Sequence, residues 1–167
     1  PGECSEDGQT LFVAIGESIQ NAIDVCPVGG TVSIGPGTFT GEGTSVITLP
    51  ANGINIIGSA GAEETIIDGE NARPGITGSG CGDNGTVIQG LTITRGSGQN
   101  GGGIYLSGCS PSFVQCMITA NQSTQDGGGI YCVGGSNPVI DDCIISENVA
   151  HDQDGGGVCA WDQSNPT

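Results

Sequence analysis

From residue 88 onward, apolar positions recur in short alternating runs instead of helical stripes. In "IQGLTITRG" (88–96), "FVQCMITAN" (113–121) and "IDDCIISEN" (140–148), Ile88, Leu91 and Ile93 align with Phe113, Cys116 and Ile118, and again with Ile140, Cys143 and Ile145. Gly, Asn, Ser and Pro bound each run, which is the chemistry of strands and turns. The units repeat in one order. "GGG" begins at Gly101, Gly127 and Gly155, Pro111, Pro138 and Pro166 keep step, and Asn121 precedes Asn148 by 27 residues. A coil of about 22–28 residues with two or three short strands, and no window for a helix, predicts an all-β parallel β-helix. Helical repeats are excluded, and the leucine pattern of leucine-rich repeats is missing. Equivalent residues then stack about 4.8 Å apart along the axis.

The stack assigns roles to particular residues. Leu91, Cys116 and Cys143 form one inward ladder, and Ile93, Ile118 and Ile145 another. Gly96, Asn121 and Asn148 share a turn, where stacked Asn side chains can bond one another and the backbone groups a tight bend strands. The glycine triplets opened by Gly101, Gly127 and Gly155 suit a sharp corner that needs positive φ and close backbone approach. A phosphate cradle is excluded, because no Lys follows them and no strand–loop–helix surrounds them.

The N-terminal part reads differently. In "ESIQNAIDVC" (17–26), Ile19, Ala22, Ile23 and Cys26 stand at i, i+3, i+4 and i+7, which predicts an amphipathic helix over about 17–25. A solenoid exposes its core unless its first coil is covered, so the helix is expected to plug that end. The chain is read as one domain, residues 1–167, with a cap over 1–30, coils over 31–167, and the clearest repeats at 88–167.

Composition narrows the partners. Two Lys plus Arg residues face 18 Asp plus Glu, for a net charge of −16. Nucleic-acid backbone and anionic membrane surfaces both require clustered basic residues, so neither is an expected partner. No run approaches 18 apolar residues, so no membrane insertion is expected. The eight cysteines show no CxxC or zinc-finger spacing, and disulfides in an oxidising, extracellular or cell-surface setting are expected. Cys4 and Cys26 are the pair expected to tie the N-terminal segment to the helix. Chain start at Pro1 reads as a mature or trimmed product. Asn84-Gly-Thr86 and Asn121-Gln-Ser123 are glycosylation sequons, though the ladder already accounts for Asn121.

The order "SIQNAID…GGTVSIGPGTF…ITLPANGINIIGS…TIIDG…VIQGLTIT" resembles the opening of right-handed parallel β-helix proteins of the pectate-lyase-like superfold. "ITANQSTQDGGGIY" and "ISENVAHDQDGGGV" are similar to the Phe-x-x-Asn and Gly-Gly-Ala-Ile repeats of polymorphic outer-membrane proteins, with Ile118 and Ile145 replacing Phe and a third Gly replacing Ala. The resemblance implies the fold, whereas the fold hosts lyases, hydrolases, adhesins and structural proteins alike.

Candidate chemistry is sparse. The lyase relatives imply an acidic Ca²⁺ site beside an Arg or Lys base, for which Arg95 and Arg73 are the available bases. Arg95 shares its turn position with Ala120 and Glu147, as expected of a solvated charge. Of the polygalacturonase motifs, only the acid pair Asp141–Asp142 is present; His151 lacks the flanking glycines. Adjacent carboxylates on an extended strand point to opposite faces and make a poor pair for inverting hydrolysis. Asn100, Asp126 and Asp154 each precede a triplet and should stack; Ca²⁺ held by Asp126, Asp152 and Asp154 would relieve their repulsion, as would backbone N–H groups. No cofactor is otherwise required.

The expected function is therefore a secreted or cell-surface β-helix with a structural or adhesive role, including filament formation. A Ca²⁺-dependent polysaccharide lyase, or a glycoside hydrolase acting on acidic polysaccharide, is the alternative. Pro166 aligns with Pro138, so the sequence stops inside a coil, and nothing after Trp161 would serve as a cap. Further coils, self-association at that edge, or head-to-tail stacking into filaments is the expectation, with carbohydrate as another partner.

Overall fold

The computed structural model describes residues 5, 8–152 and 154–167, and shows a right-handed parallel β-solenoid of about five turns. The expected pairing of Cys4 lies outside the described residues. Four parallel sheets run along the solenoid. The first contains Thr10–Val13, Thr31–Ile34, Asn55–Gly58, Val87–Gln89, Ser112–Val114 and Val139–Asp141, hydrogen-bonded in that order. The second stacks Gly37–Phe39, Thr65–Asp68, Thr92–Thr94, Met117–Thr119 and Ile144–Ser146. A short third sheet contains Ser97–Gly98, Gln122–Ser123 and Val149–Ala150. The fourth stacks Ile47–Thr48, Ile76–Gly82, Ile104–Cys109, Ile130–Val133 and Val158–Ala160.

Register follows the apolar alternation. Ile56, Ile88, Phe113 and Ile140 are successive partners in the first sheet, and Ile67, Ile93, Ile118 and Ile145 in the second. Ile47, Ile76, Ile104, Ile130 and Val158 form the ladder of the fourth. A one-residue slip would turn each ladder to the outside, so burial of these side chains pins the register. The coil from Ile56 to Ile88 is the longest, and its extra length contributes to the extended strand Ile76–Gly82 and the turn after it.

The bends between sheets use left-handed backbone. Gly90, Gln115 and Asp142 (φ 64°, 51°, 50°) stand between the first and second sheets, and Arg95, Ala120 and Glu147 (φ 49°, 55°, 56°) between the second and third. One residue in this conformation turns the chain without spending further residues, so the next side chain re-enters the core. Leu91 and Cys116 do so after the first bend, fully buried, with Cys143 half-buried above them in the outermost coil. In each glycine triplet only the first member has positive φ (Gly101 65°, Gly127 61°, Gly155 73°). The second is required by contact: a Cβ on Gly102 would lie 2.1 Å from the Gln122 carbonyl oxygen.

Helix α1 spans Ile19–Val25, shorter than the expected 17–25 because Ser18 is its N-cap. The Ser18 hydroxyl accepts the Asn21 N–H at 3.2 Å, and Glu17 reaches back to the Ala14 N–H at 2.8 Å, which uses up the residues expected to start the helix. Ile19, Ala22 and Ile23 are buried against the first coil. The strand Thr10–Val13 pairs with Thr31–Ile34 and shares the covering of this end with the helix.

Candidate functional site

The outer faces carry polar ladders that bond along the axis. The Asp126 N–H donates to Asn100 Oδ1 (3.0 Å), and the Asp154 N–H to Asp126 Oδ1 (3.0 Å). The stacked acids are thus relieved by backbone donors from the next coil. Asp126 is buried, whereas Asp152 and Asp154 are exposed. The expected Ca²⁺ ligands are not gathered into a cage: among the described residues no group of three His, Cys, Asp or Glu side chains has metal-binding geometry. Beside this ladder Tyr105 and Tyr131 stack at 5.8 Å between ring centroids. Desolvation, with Asp126 second, raises the Tyr131 phenol.

The Asn turn is bonded at every level. Asn121 Nδ2 donates to the Ile93 carbonyl (3.0 Å) and to Asn148 Oδ1 (2.9 Å), while its Oδ1 accepts the Gly96 N–H (2.8 Å). Asn148 repeats the pattern by donating to the Ile118 carbonyl at 2.8 Å and accepting the Asn121 N–H at 3.0 Å. Asn121 is buried, which removes its sequon from solvent. The Asn84 amide is engaged with the Pro50 and Ala51 carbonyls, both at 3.2 Å.

The catalytic candidates do not converge. Arg95 forms a bidentate pair with Asp68, which is buried while the arginine is half exposed. That hydrogen bond, with the charge of Asp68, raises the Arg95 pKa and holds the guanidinium charged, the wrong direction for a base. Arg73 pairs with Glu70 at 3.5 Å. Asp141 ends its strand, but Asp142 is left-handed and not extended, so the sequence geometry of the acid pair does not apply; Asp142 accepts from Gln115 Nε2 at 3.4 Å. His151 is exposed and lies 3.4 Å from Gln122 Oε1.

The cysteines hold the features that sequence reasoning left open. Cys81 and Cys109 form a disulfide between neighbouring coils, with Cα atoms 4.7 Å apart. Nothing in the repeat alignment marked Cys81, because "GSGCGDNG" lies outside the clear units. Cys116, Cys132, Cys143 and Cys159 are thiols. The Cys116 N–H donates to Cys143 Sγ at 3.4 Å, so the ladder brings these two together. Burial pushes the Cys132 thiol up to about 12 and raises Cys159.

No match is found among curated proteins, and none among solved structures. The family described as right handed beta helix region matches residues 32–167, which contain strands of all four sheets but not Thr10–Val13. The chain belongs to the right-handed β-helix family.

Proposed function

We propose that this protein is an extracellular or cell-surface rod with a structural or adhesive role, and that the face of its Val139–Ala160 coil is a pairing surface, for further coils or, in the 167-residue chain alone, for a second copy. The observation that carries the reading is the far edge. Val139–Asp141, Ile144–Ser146, Val149–Ala150 and Val158–Ala160 each end a sheet, and Val139, Ile144 and Val149 are 44%, 56% and 47% exposed. The Ile140 N–H already donates to the Thr167 carbonyl at 2.6 Å, so the chain begins the next strand there; the open edges of the other three strands, with apolar side chains beside them, are a template for further β pairing. Three features support a rigid rod in an oxidising setting: side chains consumed in axial bonds, the inter-coil disulfide and the strongly acidic surface.

Helix α1 and the strand Thr10–Val13 share the covering of the opposite end, so the edge meets its like. Like-to-like contact is isologous and closes as a pair, whereas an open filament needs a bare surface at both ends. The net charge of −16 opposes the contact at low ionic strength and is screened by salt. Sedimentation velocity over a concentration series, at low and high salt, tests this. A dimer that strengthens with salt and is lost in Ile144→Lys is expected. A monomer at every concentration and salt overturns self-pairing and leaves the edge to further coils or another partner.

A further inference from the structure

We propose that Cys143 and Cys116 form a thiol–disulfide exchange site that takes small cationic disulfides and converts two stacked thiols into a second inter-coil disulfide. The two residues follow equivalent left-handed bends, at Asp142 and Gln115, and so stand one above the other in consecutive coils. The Cys116 N–H lies 3.4 Å from Cys143 Sγ. The same chain shows that neighbouring coils accommodate such a bond, since Cys81 and Cys109 are joined with Cα atoms 4.7 Å apart. That spacing falls inside the usual range of roughly 4.4–6.8 Å.

Access is built in. A cleft of about 340 Å³ opens over the pair, with both cysteines in its wall and Glu63, Gln115, Asp142 and Ile144 around them. Cys143 is half-buried at this opening and Cys116 lies fully buried behind it. Hydrogen bonding from Cys116 holds the Cys143 thiol down to about 7, against burial and the charge of Asp141. The same contact, reinforced by burial, raises Cys116. Cys143 is therefore the thiolate that attacks and Cys116 the thiol that resolves. Among the described residues, Glu63 and Asp142 line the cleft and Asp141 acts on Cys143 from beside it, and all three are acidic. They disfavour an anionic disulfide and attract one carrying ammonium groups.

The exchange balances without further reagents. Cys143 thiolate attacks one sulfur of RSSR, its S–S bond breaks, and RS⁻ leaves, giving Cys143–S–SR. Cys116 then attacks Cys143 Sγ, the mixed disulfide breaks, and its second RS group departs with the Cys116 proton as RSH. Two electrons pass from the protein thiols to the small disulfide.

The test uses the whole chain, cystamine and oxidised glutathione at pH 7, with differential alkylation and non-reducing peptide mapping. In the wild type, a Cys116–Cys143 linked peptide is expected, formed about tenfold faster with cystamine than with oxidised glutathione at low salt. In Cys116→Ser the reaction should halt as a cysteamine adduct on Cys143, and in Cys143→Ser residue Cys116 should stay unmodified. Absence of the linked peptide in the wild type, or first modification at Cys116, Cys132 or Cys159, overturns the site. Equal rates with the two disulfides overturn its selectivity for cations.

Discussion

Replacing Asn121 with alanine removes a buried side chain that makes three hydrogen bonds. Its Nδ2 serves the Ile93 carbonyl at 3.0 Å and Asn148 Oδ1 at 2.9 Å, and its Oδ1 serves the Gly96 N–H at 2.8 Å. Asn121 is 1% exposed and Gly96 is buried, so water does not replace the lost partners. Each buried group left without its bond costs about 1–3 kcal/mol. Two stranded backbone groups give a loss of about 4 kcal/mol, a large share of the roughly 5–15 kcal/mol that holds a domain folded. At about 2–4 °C per kcal/mol for a chain of this size, the melting midpoint should fall by roughly 8–16 °C. Thermal unfolding followed by far-UV circular dichroism measures it. Asn148→Ala provides the internal control. Asn148 is half-buried in the outermost coil, so its loss should cost only about 1–2 kcal/mol. A loss below about 1 kcal/mol for Asn121→Ala, or equal losses for the two variants, would refute the claim that the buried ladder satisfies the bend.

The remaining predictions concern the corners, the sulfurs and the acids. Gly102→Ala should destabilise by about 3 kcal/mol or more, since its Cβ meets backbone at 2.1 Å, whereas Gly85→Ala, at φ 75° with open space around it, should cost only about 1–2 kcal/mol; urea titration of both separates contact from backbone strain. Alkylation without reductant, read by intact mass, should modify at most six of the eight cysteines, because Cys81 and Cys109 are bonded; eight would contradict the disulfide. Alkylation of Cys143 should rise with pH through a midpoint near 7, because its thiol is lowered to about 7 and the thiolate is the reactive form; a midpoint near 9 would contradict the bond from Cys116. Chelation by EDTA should leave the melting midpoint unchanged, since Asp126 Oδ1 is already satisfied by the Asp154 N–H; a fall would restore Ca²⁺ at Asp126, Asp152 and Asp154.

The coil ladders were readable in sequence because they rest on period. Ile93, Ile118 and Ile145 align by spacing alone, and their strands pair in that register. The bends were not readable in the same way. Arg95, Ala120 and Glu147 share one left-handed conformation, yet no common side-chain chemistry announces it. The strand Thr10–Val13 is not legible in sequence because a four-residue run carries little period, and its identity comes from pairing with Thr31–Ile34. At the candidate sites, sequence placed Asp126 and Asp154 in one column and offered backbone N–H groups to relieve them, but not that the donor is the N–H of Asp154 itself. It likewise stacked Cys116 on Cys143, but the lowered thiol of the second depends on hydrogen bonding from Cys116 that outweighs burial, which no spacing encodes.

Small-angle X-ray scattering of the chain at high salt, with Ile144→Lys beside it, tests the central claim most directly. Five coils at about 4.8 Å give each solenoid a stacked length of roughly 24 Å, so two copies joined at their last coils should double the axial length and the scattering mass. That doubling is expected in the wild type at high concentration, with no growth beyond a pair, and a single solenoid in Ile144→Lys. A single solenoid in both, or wild-type particles that lengthen without limit, would contradict it.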